Sequence, residues 1–130
     1  AQRARRRQEA ALSGGLLDYE MQREWLEGLA RYMELETWRL ASLSQSYEPV
    51  TAIQDEADFD DYATYQRRWN QEIDQIGRMA GDEGDGRFYY SGMAQAVLLD
   101  RLAPGWKGQA LQADVFLEDL LAEAAETARQ

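Results

Sequence analysis

Between Asp58 and Ala80, the residues Phe59, Tyr62, Trp69, Ile73, Ile76 and Ala80 recur at steps of three and four, with Gln66 filling one place in the series. That is the spacing of a single helix face, and Asp60, Asp61, Arg67, Arg68, Glu72 and Asp74 fall off it. No stretch of strand length alternates apolar with polar residues, so nothing competes with the helical period. The chain is expected to be all-α, a single domain of about five helices. The first runs from Ala1 to Leu12 and stops at Ser13-Gly14-Gly15. The second spans about Asp18 to Ser42 with Asp18 as its N-cap, and a loop broken by Pro49 follows. The third is the Asp58–Ala80 segment, with Asp58, Asp60 and Asp61 at the positive end of its dipole. From Phe88 to Leu99 the fourth is apolar almost all round, interrupted only by Ser91 and Gln95, which marks it as the central helix. Pro104-Gly105 ends it, WKGQALQ is ambiguous, and Asp114 caps a last helix carrying Phe116, Leu117, Leu120, Leu121 and Ala124.

Composition narrows the function classes. A chain of 130 residues holds one domain with a real core and is too short for two comfortable ones. Its net charge of −10 argues against nucleic acid as the main partner, since phosphate binding needs a positive surface. Arg3, Arg5, Arg6 and Arg7 form a local exception, read as a solvated helix face rather than an arm for phosphates or acidic lipid. No run approaches the roughly 20 apolar residues of a membrane span. The amino end AQRARRRQEA has no apolar core of a signal peptide. Cysteine and histidine are both absent, so this chain alone assembles no thiolate chemistry, no Ser-His-Asp triad, no His base and no His-ligated metal. The turn-rich Gly81–Arg87 segment does not meet the calcium-loop pattern, because its alternating positions are Asp82, Gly84 and Gly86. A nucleotide or carboxylate enzyme built on Asp58, Asp60 and Asp61 lacks a phosphate loop, and acids at a helix start ordinarily serve as caps.

One residue in the second helix resists a purely structural account. Gly28, inside EWLEGLARYMELE, costs a helix interior about 1 kcal/mol relative to Ala. On a wheel Trp25, Leu26, Leu29, Tyr32, Met33 and Leu40 share one broad side, Glu27 points away near Glu34 and Trp38, and Gly28 lies on the flank. Glu20, Glu27 and Glu34 read simply as an acidic stripe facing water beside Arg23 and Arg31. That reading leaves Gly28 and the large Trp38 unexplained. Two faces that both want partners suggest a helix between neighbours, or one whose neighbour lies outside this chain.

WLEGLARYMELE resembles the third-ligand helix of the gluzincin zinc metallopeptidases, especially the aminopeptidase branch, in which a Trp-Leu-x-Glu-Gly-Phe-Ala-x-Tyr-like segment follows the HExxH helix. YYSGMAQAVLLDRL is similar to the Tyr-x-Lys-Gly-Ala segment of the same family, which opens a buried apolar helix. The two segments occur in the family's order, with Tyr89 62 residues after Glu27. The resemblance implies Glu27 as the carboxylate ligand of zinc and Tyr89 as hydrogen-bond donor to the tetrahedral oxyanion, with Tyr90 in that place if the helix is turned by one residue. It also implies that Gly28 admits close contact with the HExxH helix. The departures are that HExxH is absent, Ser91 stands where the family has lysine, and Leu29 where it has phenylalanine.

The chain is therefore expected to be the helical, carboxy-terminal part of a gluzincin-like domain, a fragment lacking the HExxH segment and inactive without it. Zinc belongs to the complete domain, none is expected for this chain alone, and the partner of the complete enzyme is a peptide or protein substrate. The alternative is a non-catalytic, acidic helical interaction module, in which Glu27 is solvated, Tyr89 is core, and Trp38 with Tyr32 or Tyr47 makes a partner-facing patch.

Overall fold

A computed structural model describes residues 2–81 and 84–129. The chain is all-α, with no strand among the described residues. A short helix α1 (Gln2–Glu9) precedes one long rod, built from α2 (Gly14–Arg23), a π-helical turn (Glu24–Gly28) and α3 (Leu29–Leu43). A small helix α4 (Thr51–Gln54) sits in the loop expected to be irregular, and a 3₁₀ turn (Tyr62–Thr64) leads into α5 (Tyr65–Met79). Then come α6 (Gly86–Leu102), the short α7 (Trp106–Ala110) and α8 (Leu117–Thr127). Asp82 and Glu83, in the expected turn between α5 and α6, lie outside the described residues.

Several boundaries differ from the sequence reading, each for a local reason. Ser13, not Asp18, precedes the long rod. Its extended backbone (φ −68°, ψ 155°) lets its carbonyl accept from the Leu16 and Leu17 amides, so Gly14 and Gly15 begin a helix instead of ending one. The aspartates before α5 act later than expected, with Asp61 accepting from the Ala63 amide at 2.8 Å. Asp114 does not cap the last helix, because it sits in the left-handed region (φ 61°) and Phe116 is the capping residue of α8. The ambiguous WKGQA segment is helical, and Trp106 and Ala110 join the core.

The core gathers round α6, as its apolar circumference implies. Met93, Ala96 and Leu99 have no exposed surface, and Tyr32 and Leu35 of α3 with Leu117, Leu120 and Ala124 of α8 close over them. The rod meets α6 at two glycines. A Cβ built on Gly28 falls onto the Gly92 Cα and lies 2.9 Å from the Met93 nitrogen; one built on Gly92 falls onto the Glu24 carbonyl oxygen and lies 2.8 Å from the Gly28 Cα. Gly28 therefore serves an internal crossing with α6, and the expectation that its neighbour is an HExxH helix is corrected. Contact at this range is available only to residues without side chains.

Charged groups tie the remaining helices. Arg7 is not solvated: its side chain is 13% exposed and bridges Glu20 of α2 at 2.9 Å and Glu118 of α8 at 2.7 Å. Arg5 pairs with Glu9 at the surface, and the Arg3 and Arg6 side chains lie outside what is described. Glu72 of α5 is buried and receives Arg31 at 2.9 Å and Arg68 at 3.2 Å. On the far side, Asp100 accepts from the Tyr32 hydroxyl at 2.7 Å and from the Trp106 indole at 3.0 Å, with Lys107 at 3.4 Å. Partial burial opposes its charge, but the hydrogen bonds from Trp106 and Tyr32 outweigh that and hold its carboxyl below the ordinary aspartate range. A depressed carboxylate stabilises the fold above the ordinary value and loses that contribution as pH falls through the depressed one. Stability should thus decline below about pH 4. Asp100→Asn should remove about 1 kcal/mol at neutral pH, low for a hydrogen-bonded charge because the carboxylate is partly exposed. It should also flatten the acid limb, as read by denaturant titrations from pH 3 to pH 7.

Candidate functional site

At the α2–π–α3 rod's crossing with α6 the sequence-selected residues meet. Glu27 leaves the π-helical turn beside Gly28 with its side chain 18% exposed, and is not the solvated member of an acidic stripe. Glu20 is likewise engaged by Arg7, and of the three only Glu34, at 43%, faces water substantially. Tyr89, three residues before Gly92, faces Glu27; the pull of that carboxylate on its hydroxyl first, and burial second, raise the phenol above its ordinary pKa. Tyr90 takes a different direction, as consecutive helix residues must. Its ring lies under the Arg31 guanidinium at 5.9 Å, in a cleft shared with Arg68 and Glu72. Glu27 and Tyr89 are thus brought together, and Tyr90 is not part of their contact.

Around this pair runs a short polar chain. Arg23, one helical turn before Glu27, holds it at 2.9 Å and reaches Asp85 at 3.5 Å, and Asp85 accepts from the Tyr19 hydroxyl at 2.7 Å. Two phenols and two carboxylates therefore flank one guanidinium at the mouth of the crossing. The loop carrying Asp85 precedes α6, so α2, the π-helical turn and α6 all contribute.

Behind the crossing lies a second polar group that the sequence reading did not select. Glu24 is 3% exposed and accepts from the Ser91 hydroxyl at 2.5 Å and the Gln95 amide at 2.9 Å. These are the two residues that interrupt the apolar run of α6, and their spacing of four places them on one helix face. Polar residues so placed on an otherwise apolar helix imply a buried polar partner, and that signal was available in the sequence. Glu24 also borders a cleft of about 430 Å³ floored by Ile76, Met79 and Phe88, with Arg7 and Arg87 at its edge.

The donor set can be compared with zinc. With no histidine or cysteine in the sequence, only carboxylates and phenols are offered at the crossing. Among the described residues no three of His, Cys, Asp and Glu come together as a metal-holding group. Catalytic zinc sites take three protein ligands, so the residues of this chain do not fit zinc by themselves.

The apolar faces of the rod are distributed otherwise than on the wheel. Trp25, Leu29 and Tyr32 turn inward, the Trp25 indole donating to the Ala110 carbonyl at 2.7 Å, whereas Leu26, Met33 and Leu40 are 55%, 55% and 56% exposed. Tyr32 is buried and belongs to no surface patch; Trp38 stacks edge-on against Tyr62 at 5.0 Å, which in turn meets Tyr47 at 4.9 Å. Among the described residues no helix is long and apolar enough to cross a membrane. Comparison with family models, curated proteins and solved structures finds no match.

Proposed function

We propose that the chain is the helical, carboxy-terminal part of a gluzincin-like metallopeptidase domain. In that reading it contributes Glu27 as one ligand of a metal centre whose other ligands lie on an HExxH segment outside this chain, and Tyr89 as oxyanion hydrogen-bond donor. One observation carries the reading: Glu27 and Tyr89, 62 residues apart in sequence, face each other where Gly28, next to Glu27, meets Gly92, three residues after Tyr89. A partly shielded carboxylate held beside a phenol is a sound pairing for hydrolysis of an amide, because the phenol can donate to charge that develops on the substrate oxygen. The substrate class is a peptide or protein.

The test is genetic and then chemical. The coding sequence upstream of Ala1 should contain HExxH in frame, and the longer protein should bind zinc stoichiometrically. Glu27→Gln in that protein should lower zinc affinity by at least about tenfold, measured as metal retained after dialysis against a weak chelator. Full zinc retention by that variant would remove Glu27 from the ligand set.

A second reading draws on the exposed stripe of Leu26, Met33 and Leu40, which with Ala30 and Thr37 repeats every three and four residues on the outer side of the rod. An outward-facing apolar helix stripe is the feature expected of a helical interaction module without chemistry. Under that reading the longer protein shows no hydrolysis, and Leu26→Glu with Met33→Glu abolishes partner capture without lowering stability.

A further inference from the structure

The polar group behind the crossing has the parts of a nucleophile and its base. The Ser91 hydroxyl donates to Glu24 Oε1 at 2.5 Å, and Gln95 Nε2 donates to the other carboxylate oxygen at 2.9 Å. A hydroxyl bonded to a base, with that base oriented by a third group, is the arrangement that activates a serine. The parts sit on rigid elements: Glu24 opens the π-helical turn, Ser91 and Gln95 share one face of α6, and the contact of Gly28 with Gly92 fixes the approach of the two. Burial requires that Glu24 have donors. It does not require that one of them, the half-buried Ser91, border with Glu24 a cleft of about 430 Å³, a volume in the range of small-molecule sites. We propose that Ser91 is an acyl-transfer nucleophile with Glu24 as its general base, that Gln95 positions the carboxylate, and that the substrate is an ester of an apolar carboxylic acid. Ile76, Met79 and Phe88 floor the cleft and select the apolar acyl group. Arg87, over the Phe88 ring at 4.6 Å, brings a positive charge to the same cleft for the oxyanion. A carboxylate is a weaker base than an imidazole, which directs the reaction to esters with good leaving groups rather than to amides. Ser91 Oγ attacks the acyl carbon while its proton passes to Glu24. The ester C–O bond then breaks, and the proton on Glu24 leaves with the alcohol. Water attacks the acyl-serine, gives one proton to Glu24 and releases the carboxylic acid, and that proton returns to Ser91 Oγ. The assignment uses residues of this chain alone and is independent of the metal reading of Glu27.

Two probes test this on the chain as it stands: p-nitrophenyl hexanoate, with nitrophenolate release read by absorbance, and an alkyl fluorophosphonate, with the modified residue located by peptide mass mapping. The fluorophosphonate is expected to label Ser91. Ser91→Ala should lose both the label and the catalysed release, whereas Ser42→Ala, which removes a hydroxyl bonded only to the Arg39 carbonyl, should match the wild type. Glu24→Gln keeps the shape of the side chain and an acceptor for Ser91, and should slow labelling by about 10²–10⁴-fold. Gln95→Leu should lower kcat and leave KM near the wild-type value, the split expected of a residue that acts through the base. Each variant is first shown to be folded by circular dichroism; where one is not, the residue labelled in the wild type decides. Label on another residue, or on none, overturns the nucleophile whatever the variants do. Label on Ser91 at an unchanged rate in Glu24→Gln overturns the base and leaves the buried group a structural one.

Discussion

Gly92→Ala is expected to destabilise the chain by about 3 kcal/mol, the upper part of the range for forcing an atom into a filled site. The new Cβ would meet the Glu24 carbonyl oxygen and the Gly28 Cα, both backbone atoms that no side-chain rotation can move away. The rod and α6 must then separate, and Met93, which neighbours Gly92 and is wholly buried, loses contacts along with them. Intrinsic helix propensity pulls the other way by about 1 kcal/mol, since Ala is the better helix former. Gly77 supplies the matching control: it lies in α5, and a Cβ there meets nothing within 4 Å. Gly77→Ala should therefore stabilise by about 0.5–1 kcal/mol while Gly92→Ala destabilises. Equal effects in urea titrations of the two variants would contradict the close crossing.

The second large effect concerns turnover. If the proposed peptidase reading holds, then in a longer protein carrying HExxH, Tyr89→Phe is expected to lower kcat by about 10²–10³-fold, the loss found when one donor to a developing oxyanion is removed. KM should change little, because that hydrogen bond strengthens only as charge accumulates on the substrate oxygen. Zinc content should be unaltered, which distinguishes the variant from Glu27→Gln. Steady-state kinetics on a peptide substrate with metal analysis reads both quantities. A wild-type rate in Tyr89→Phe would contradict its role. Tyr90→Phe provides the comparison, since Tyr90 is engaged with Arg31 on a different side of α6.

Periodicity was enough to reveal the helical class, the central place of α6 and the two glycine-bearing segments. It worked because α6 is apolar around its circumference, and a helix of that kind has to be surrounded. The candidate pair was reached through Glu27 and Tyr89 only by resemblance, and nothing in their spacing showed that they touch. What the sequence concealed was which neighbour each glycine serves. Gly28 and Gly92 each look like a local anomaly, and only the tertiary arrangement makes them one contact. Helix starts were misplaced for a related reason. Asp18 and Asp114 are good capping residues by type, but capping depends on backbone conformation at the preceding turn, which is decided by Ser13 and Phe116. The sides of the rod were misassigned because too wide an arc was taken as one side: within the regular α3 buried Tyr32 already lies roughly 80–100° round the helix from exposed Met33 and Leu40.

The widened turn at Glu24–Gly28 has its own consequence. Glu20, Glu24, Gly28 and Tyr32 follow one another at intervals of four, a rhythm that would spiral off line around an evenly wound cylinder. Slackening the winding for five residues lets a single continuous rod present acids to Arg7 and Ser91 at one end and an aromatic ring to the interior at the other. The bearing of Tyr32 relative to Glu20 is in effect set by one surplus residue, so the two ends of the rod are geared together through the very turn from which Glu27 projects.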